Sequence, residues 1–172
     1  MQSKKSVLDR KKIFITKITG NTRIEYIQKL FNNPYIIWID RDHRLVVMSY
    51  HKQRWSYKKN IREFYNKSEE ELIAEYSKMY IKYYNEKEKL KQFNYKQVFY
   101  ENIVSDRYKF FQDIFEFICE KQNRAFHEII DTWIIKKDTD EFYNNYFTND
   151  GMILLNNLLK KPLQELGYKS VY

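Results

Sequence analysis

A chain of 172 residues is long enough to bury a real hydrophobic core, and 43% hydrophobic with 31% charged residues excludes a disordered polymer. The 31 Lys and Arg outnumber the 23 Asp and Glu, giving a net charge of +8 that favours anionic partners without choosing among nucleotides, phosphorylated or sulfated substrates and nucleic acid. No apolar run approaches a membrane span, and a single cysteine, Cys119, excludes an internal disulfide and fits a reducing, cytoplasmic compartment. The 16 Tyr and 12 Phe, with abundant Lys and Asn but 3 Gly and 2 Pro, fit a bias in genomic base composition. The interleaved aromatics and lysines are therefore discounted as a nucleic-acid signal.

Residues 1–10 are polar and basic, with no apolar stretch before an Ala-x-Ala-like site. They read as a flexible arm rather than a signal peptide. Lys12–Lys17 is short and β-prone, a first strand, and Thr19-Gly20-Asn21-Thr22 is a turn in which Asn21 or Thr22 can cap a helix. Ile24, Ile27, Leu30 and Phe31 repeat at helical spacing until Asn32-Asn33-Pro34 stops them. From Pro34 to Asp40 the run of Ile and aromatics predicts a second, buried strand, joined to the first by a right-handed parallel crossover.

Asp42 then stands where its carboxylate can cap a helix expected from His43 to about Tyr57. Strand, charged corner and helix together are how open α/β sheets build anion sites. Arg41 falls at the strand tip and Ser49 about two turns into the helix, so a guanidinium and a hydroxyl can converge on one phosphate. The plainer alternative is that Arg41 pairs with Asp40 or Asp42 at the surface. The basic cluster Lys52, Arg54, Lys58, Lys59 and Arg62 is a solvated face or the wall of an anion channel. His43 and His51 titrate near neutrality, but neither is favoured as a catalytic base.

Ser68-Glu69-Glu70-Glu71 is a capping box. The long helix it opens carries a core stripe of Leu72, Tyr76, Met79, Tyr80, Tyr83, Tyr84 and Leu90. Phe93-Asn94 ends it, and Tyr95–Tyr100 alternates as a third strand. Asp106 caps a further helix with Phe110, Phe111, Ile114, Phe115, Phe117 and Ile118 on a broad apolar face, and Cys119 within that pattern reads as core packing. Phe126, Ile129, Ile130, Trp133 and Ile134 suggest another amphipathic helix, and residues 136–140 a loop. Asn149-Asp150-Gly151 begins the final helix, which Pro162 perturbs and Gly167 ends.

Three of these segments resemble motifs of the sulfotransferase superfamily. Arg41-Asp42, with Ser49 eight positions after the arginine and behind an Ile-rich strand, is similar to its nucleotide-phosphate motif, with His43 where the family usually has Pro. Lys17-Ile18-Thr19-Gly20-Asn21-Thr22-Arg23 resembles the segment on the preceding strand but lacks its Pro. Tyr100-Glu101-Asn102-Ile103-Val104-Ser105-Asp106 resembles the family's Tyr-Glu-Asp/Asn corner, with Arg107 in place of Pro. The resemblance covers residues 13–118, and the ending Leu166-Gly167-Tyr168 also falls where many members finish.

The resemblance implies 3′-phosphoadenosine 5′-phosphosulfate (PAPS) as sulfuryl donor, a hydroxyl or amine acceptor, and no metal. Arg41 and Ser49 would hold the nucleotide's ribose phosphate, Lys17 would steady the transferring group, and Asn21 would orient a reactant without taking a proton. Glu101 would be structural. The implied fold is α/β: a small parallel sheet of about three strands flanked by helices, a truncated P-loop-NTPase-like sulfotransferase fold with a helix-rich C-terminal half, in one domain over residues 1–172. No Gly-rich phosphate loop is recognisable ahead of Lys17, the first glycine being Gly20. Three readings stay open: the C-terminal part of a longer enzyme, a protein partner that completes the sheet, or an incomplete donor site. The last makes the alternative a degenerate fold kept as a non-catalytic binding or assembly subunit.

Overall fold

The computed structural model describes residues 24–118, 124–132 and 146–169. The expected first strand Lys12–Lys17, the turn after it, Cys119 and the loop 136–140 lie outside the described residues. Helix α1 (Ile24–Leu30) turns Ile24 into the interior and leaves Leu30 in solvent. Asn33, in the left-handed region at φ 53°, reverses the chain ahead of Pro34, a conformation Asn tolerates better than most residues.

Strands β1 (Tyr35–Asp40) and β2 (Asn94–Phe99) pair in parallel, in register from Tyr35 opposite Asn94 to Asp40 opposite Phe99. A parallel pair needs a long crossover, and everything from residue 41 to 93 supplies it. The strand expected to be buried is buried on one face alone. Trp38 and Asp40 point inward, while Tyr35 at 50% and Ile39 at 54% exposure face out. The inner face meets Ile24 and Leu90, and Trp38 stacks on Tyr83 with 4.8 Å between ring centroids. On the outer face α6 (Arg107–Phe117) reaches β1 at Tyr35, whose ring meets Phe117 edge-on at 5.4 Å. A continuous apolar run signals a strand, but what packs on each face decides its burial.

Helix α2 (His43–Lys52) is shorter than its pattern suggested. Arg54 turns left-handed at φ 49°, a single 3₁₀ turn (Trp55–Tyr57) follows, and then the short α3 (Ile61–Tyr65). The reversal lets both Tyr57 and Phe64 enter the core, which a straight helix to Tyr57 would not allow. The Arg54 guanidinium sits over the rings of Phe64 and Tyr65, at 5.7 and 5.2 Å.

Helix α4 (Glu69–Asn85) begins on the expected capping box: the Glu71 amide donates to Ser68 Oγ at 3.2 Å, and the Ser68 amide to Glu71 Oε2 at 2.8 Å. It tightens into a 3₁₀ stretch (Glu86–Gln92) that delivers the chain to β2. The main core lies where α2, α4 and α8 (Asn149–Leu158) meet, with Val47, Met48, Ile73, Tyr76 and Leu155 fully buried. Glu69 joins the starts of two of these helices, accepting from the Thr148 amide at 3.0 Å and from its hydroxyl at 2.5 Å, while Thr148 caps α8.

Tyr100, read as the last residue of a strand, opens a short helix α5 (Tyr100–Ser105) instead. Asp106 caps α6 as expected, accepting from the Lys109 amide at 2.9 Å. Of the apolar face of α6, Phe110 is buried and the rest half-buried. Helix α7 (Arg124–Thr132) buries Ile130, and Trp133 and Ile134 lie outside the described residues. Pro162 falls in the first turn of a separate helix α9 (Lys160–Glu165), where its missing N–H costs nothing. Gly167, at φ 76°, follows the end of α9: its amide donates to the Gln164 carbonyl, and the Tyr168 amide reaches back to Leu163 at 2.9 Å. The architecture is helix-rich α/β, with a small parallel sheet flanked by helices, as expected of a sulfotransferase-like fold. Among the described residues no helix is long and apolar enough to cross a membrane.

Candidate functional site

The two strands end side by side at Asp40 and Phe99, and the residues immediately beyond them, Arg41-Asp42 and Tyr100-Glu101, make one corner. In open parallel sheets ligands bind beyond these carboxyl ends. Arg41 lays its guanidinium over the Tyr100 ring, 4.6 Å from the centroid, which aligns a planar cation at the strand tip. The spacing of the sequence does not mark Tyr100 as a functional residue. The sign that it stacks on Arg41 is the parallel register, which no single sequence displays.

The surface pairing considered for Arg41 does not describe its acidic neighbours. Asp40 is 2% exposed and accepts hydrogen bonds from Trp38 Nε1 at 2.9 Å, Gln97 Nε2 at 2.7 Å and Lys87 Nζ at 2.9 Å. Asp42 is 6% exposed and takes a two-pronged bond from Arg44, Nε to Oδ1 at 3.0 Å and a terminal nitrogen to Oδ2 at 2.6 Å. The Asp42 carboxylate also caps α2 by accepting from the Arg44 amide at 3.0 Å. Arg44 extends to Asn156 Oδ1 on α8 at 3.2 Å. Each buried carboxylate thus carries its own cation, as buried charges must.

Behind the corner, Glu101 accepts the Asp42 amide on one oxygen at 3.0 Å and the Tyr168 hydroxyl on the other at 2.9 Å. This is a structural use of that carboxylate. His43 is fully buried against Tyr80, Tyr84 and Tyr168, with Nδ1 hydrogen-bonded to the Tyr80 hydroxyl. Burial holds its pKa below the usual imidazole value, against the opposite pull of Asp40, Asp42 and the Pro162 carbonyl. Burial, and then the Glu101 carboxylate, push the Tyr168 phenol upward, so it stays a neutral donor. His51, on the far turn of α2, pairs with the Tyr146 hydroxyl at 2.9 Å, and burial lowers its pKa as well. Both histidines belong to packing.

Ser49 lies on the rim of α2, half-buried, and its hydroxyl accepts from Gln53 Nε2 at 3.3 Å. It sits about 9 Å along the helix axis from His43. Lys17 and Asn21 lie outside the described residues. Among the described residues no acidic, His and Cys side chains are grouped as a metal site. An open hollow of about 560 Å³, lined by Lys29 to Pro34 with Gln92 and Phe93, opens at the amino ends of the strands, the end opposite Arg41. Its place in the topology separates it from the corner.

A family model described as "Sulfotransferase family" matches residues 3–121, well over half of the chain, and the match spans both strands and the Arg41 corner. The chain belongs to the sulfotransferase family. No curated protein and no solved structure matches it significantly. The family assignment sets the corner in context: sulfotransferases take a nucleotide sulfate donor and an acceptor, and the corner lies within the matched segment.

Proposed function

We propose that this sulfotransferase-family chain, read as one domain over its 172 residues, moves a sulfuryl group from PAPS to a hydroxyl or amine acceptor. In this reading Arg41 and Ser49 hold the ribose phosphate of the nucleotide. Arg41 contributes a planar, permanently charged fork suited to phosphate oxygens. Lys17 offsets charge on the sulfuryl group as the bond to the leaving phosphate breaks, and Asn21 orients a reactant by hydrogen bonding. The acceptor oxygen or nitrogen attacks sulfur in line with the departing phosphate, the bond from sulfur to the phosphate oxygen breaks, the acceptor's proton passes to solvent, and 3′-phosphoadenosine 5′-phosphate is released. The single cysteine of the chain suits a cytoplasmic setting.

The observation that carries the reading is the Arg41 guanidinium stacked on Tyr100 at the carboxyl ends of two parallel strands, inside the segment that matches the family. Calorimetric titration with 3′-phosphoadenosine 5′-phosphate tests it. Arg41→Ala should weaken binding at least about ten-fold, the loss of one charge-assisted contact of about 1.4 kcal/mol or more. Arg41→Lys should restore little of it, because an ammonium neither forks nor stacks flat. Unchanged binding in Arg41→Ala, or none in the unsubstituted protein, defeats the assignment. Tight nucleotide binding with no transfer to any hydroxyl or amine panel would instead place the chain as a non-catalytic binding subunit.

A further inference from the structure

The family match ends at residue 121, yet side chains well beyond it reach the corner that carries Arg41. Tyr168, three residues past the end of α9, donates its hydroxyl to Glu101 Oε2 at 2.9 Å. The other oxygen of Glu101 accepts the Asp42 amide at 3.0 Å. That amide belongs to the peptide bond between Arg41 and Asp42, so holding it fixes the direction in which the Arg41 side chain leaves the strand. On the same turn Arg44 is shared between Asp42 and Asn156 of α8. Asn156 is itself steadied by donating to the Met152 carbonyl at 2.8 Å.

The terminus that presents Tyr168 is shaped for the task. Gly167 supplies the left-handed residue, and the Tyr168 amide bonds back to Leu163, which turns the phenol inward over His43 with 5.9 Å between ring centroids. We propose that Tyr168 is a positioning residue for the nucleotide site: through Glu101 it holds the Arg41–Asp42 peptide in its binding-competent setting, so the C-terminal helices form a latch on the donor corner. The proposal rests on the nucleotide reading above and adds to it a residue outside the matched segment.

The test compares Tyr168→Phe with Tyr84→Phe. Tyr84 donates to Glu165 Oε2 at 2.8 Å and so also ties α9 to the body of the protein, but its hydroxyl does not touch the corner. Two quantities are read on the full chain: the dissociation constant for 3′-phosphoadenosine 5′-phosphate, and the hydrogen-exchange rate of the Asp42 amide, which needs no nucleotide. Tyr168→Phe should weaken binding about ten-fold, or about 1.4 kcal/mol, because a lost bond to a carboxylate frees the Glu101 clamp. It should also speed Asp42 exchange, while Tyr84→Phe changes neither. Equal effects of the two variants, or Asp42 exchange unaffected by Tyr168→Phe, overturn the latch. Faster Asp42 exchange in a protein that binds no nucleotide in any form overturns the donor-site reading instead, and with it the latch's role in binding.

Discussion

Arg44 shows how a single residue serves a site it does not enter. Its guanidinium neutralises the buried Asp42 carboxylate that starts α2, and also reaches Asn156 on α8. Arg44→Met should cost about 3–5 kcal/mol in urea unfolding, because it strands a buried charge rather than removing an attraction of similar size. Asp42→Asn combined with Arg44→Met should recover part of that loss, since both charges then leave together. Equal losses in the single and double variants would show that the charge is not the cause. The capping role of Asp42 was readable from its place between a strand and a helical pattern. Its pairing with Arg44, two residues along, was not, since it requires both side chains to be folded under the C-terminal helices. The same applies to Asp40, whose ion partner Lys87 lies 47 positions away.

Local chemistry fixes where elements begin more firmly than where they end. Ser68 and Glu71 satisfy each other's amides at the start of α4. Ser68→Ala should therefore lower stability by about 1 kcal/mol and the melting temperature by about 2–4 °C, followed by circular dichroism at the helix band. An unshifted melt would show that the exposed cap contributes nothing beyond what water supplies. Asp106 and Thr148 start their helices in the same local way. Ends behave differently. Helix α2 stops at Lys52, although the pattern runs on, because the core draws in Tyr57 and Phe64 from a chain that has reversed direction. Tyr100 passed for the last residue of a strand because an alternating run carries no mark of where pairing stops. The register with β1 ends at Asp40 opposite Phe99, and the chain then coils into α5.

Across the whole molecule, acid sensitivity follows from two histidines packed as neutral rings. His43 is buried among tyrosines beside Asp40, Asp42 and Lys87, and His51 lies among aromatics near Glu69 and Arg54. In both, burial lowers the pKa from the ordinary value of 6.5. The unfolded chain then binds more protons than the folded one as pH falls below that value, so stability is full above it and declines beneath it. Thermal melts should be level from about pH 8 to 6.5 and fall toward about pH 5.5, above the range where ordinary carboxylates titrate. His51→Gln should make the slope shallower by removing one of the two groups. A level profile down to pH 5.5 would mean that both rings accept protons in place.

What the sequence alone determined is of short range: the caps at Asp42, Ser68 and Asp106, the strand-to-helix corner at Arg41, the Gly167 terminus, and motif spacings that already pointed to the sulfotransferase family. Each depends on residues within a turn or two of one another, where backbone amides and side chains meet whatever the rest of the chain does. Tertiary structure alone decided which face of β1 is covered, that Tyr100 lies under Arg41, and that Lys87, Asn156 and Tyr168 close around the corner from distant elements. Those contacts arise when hydrophobic burial brings remote segments together, and partners chosen by packing leave no periodic trace along the chain.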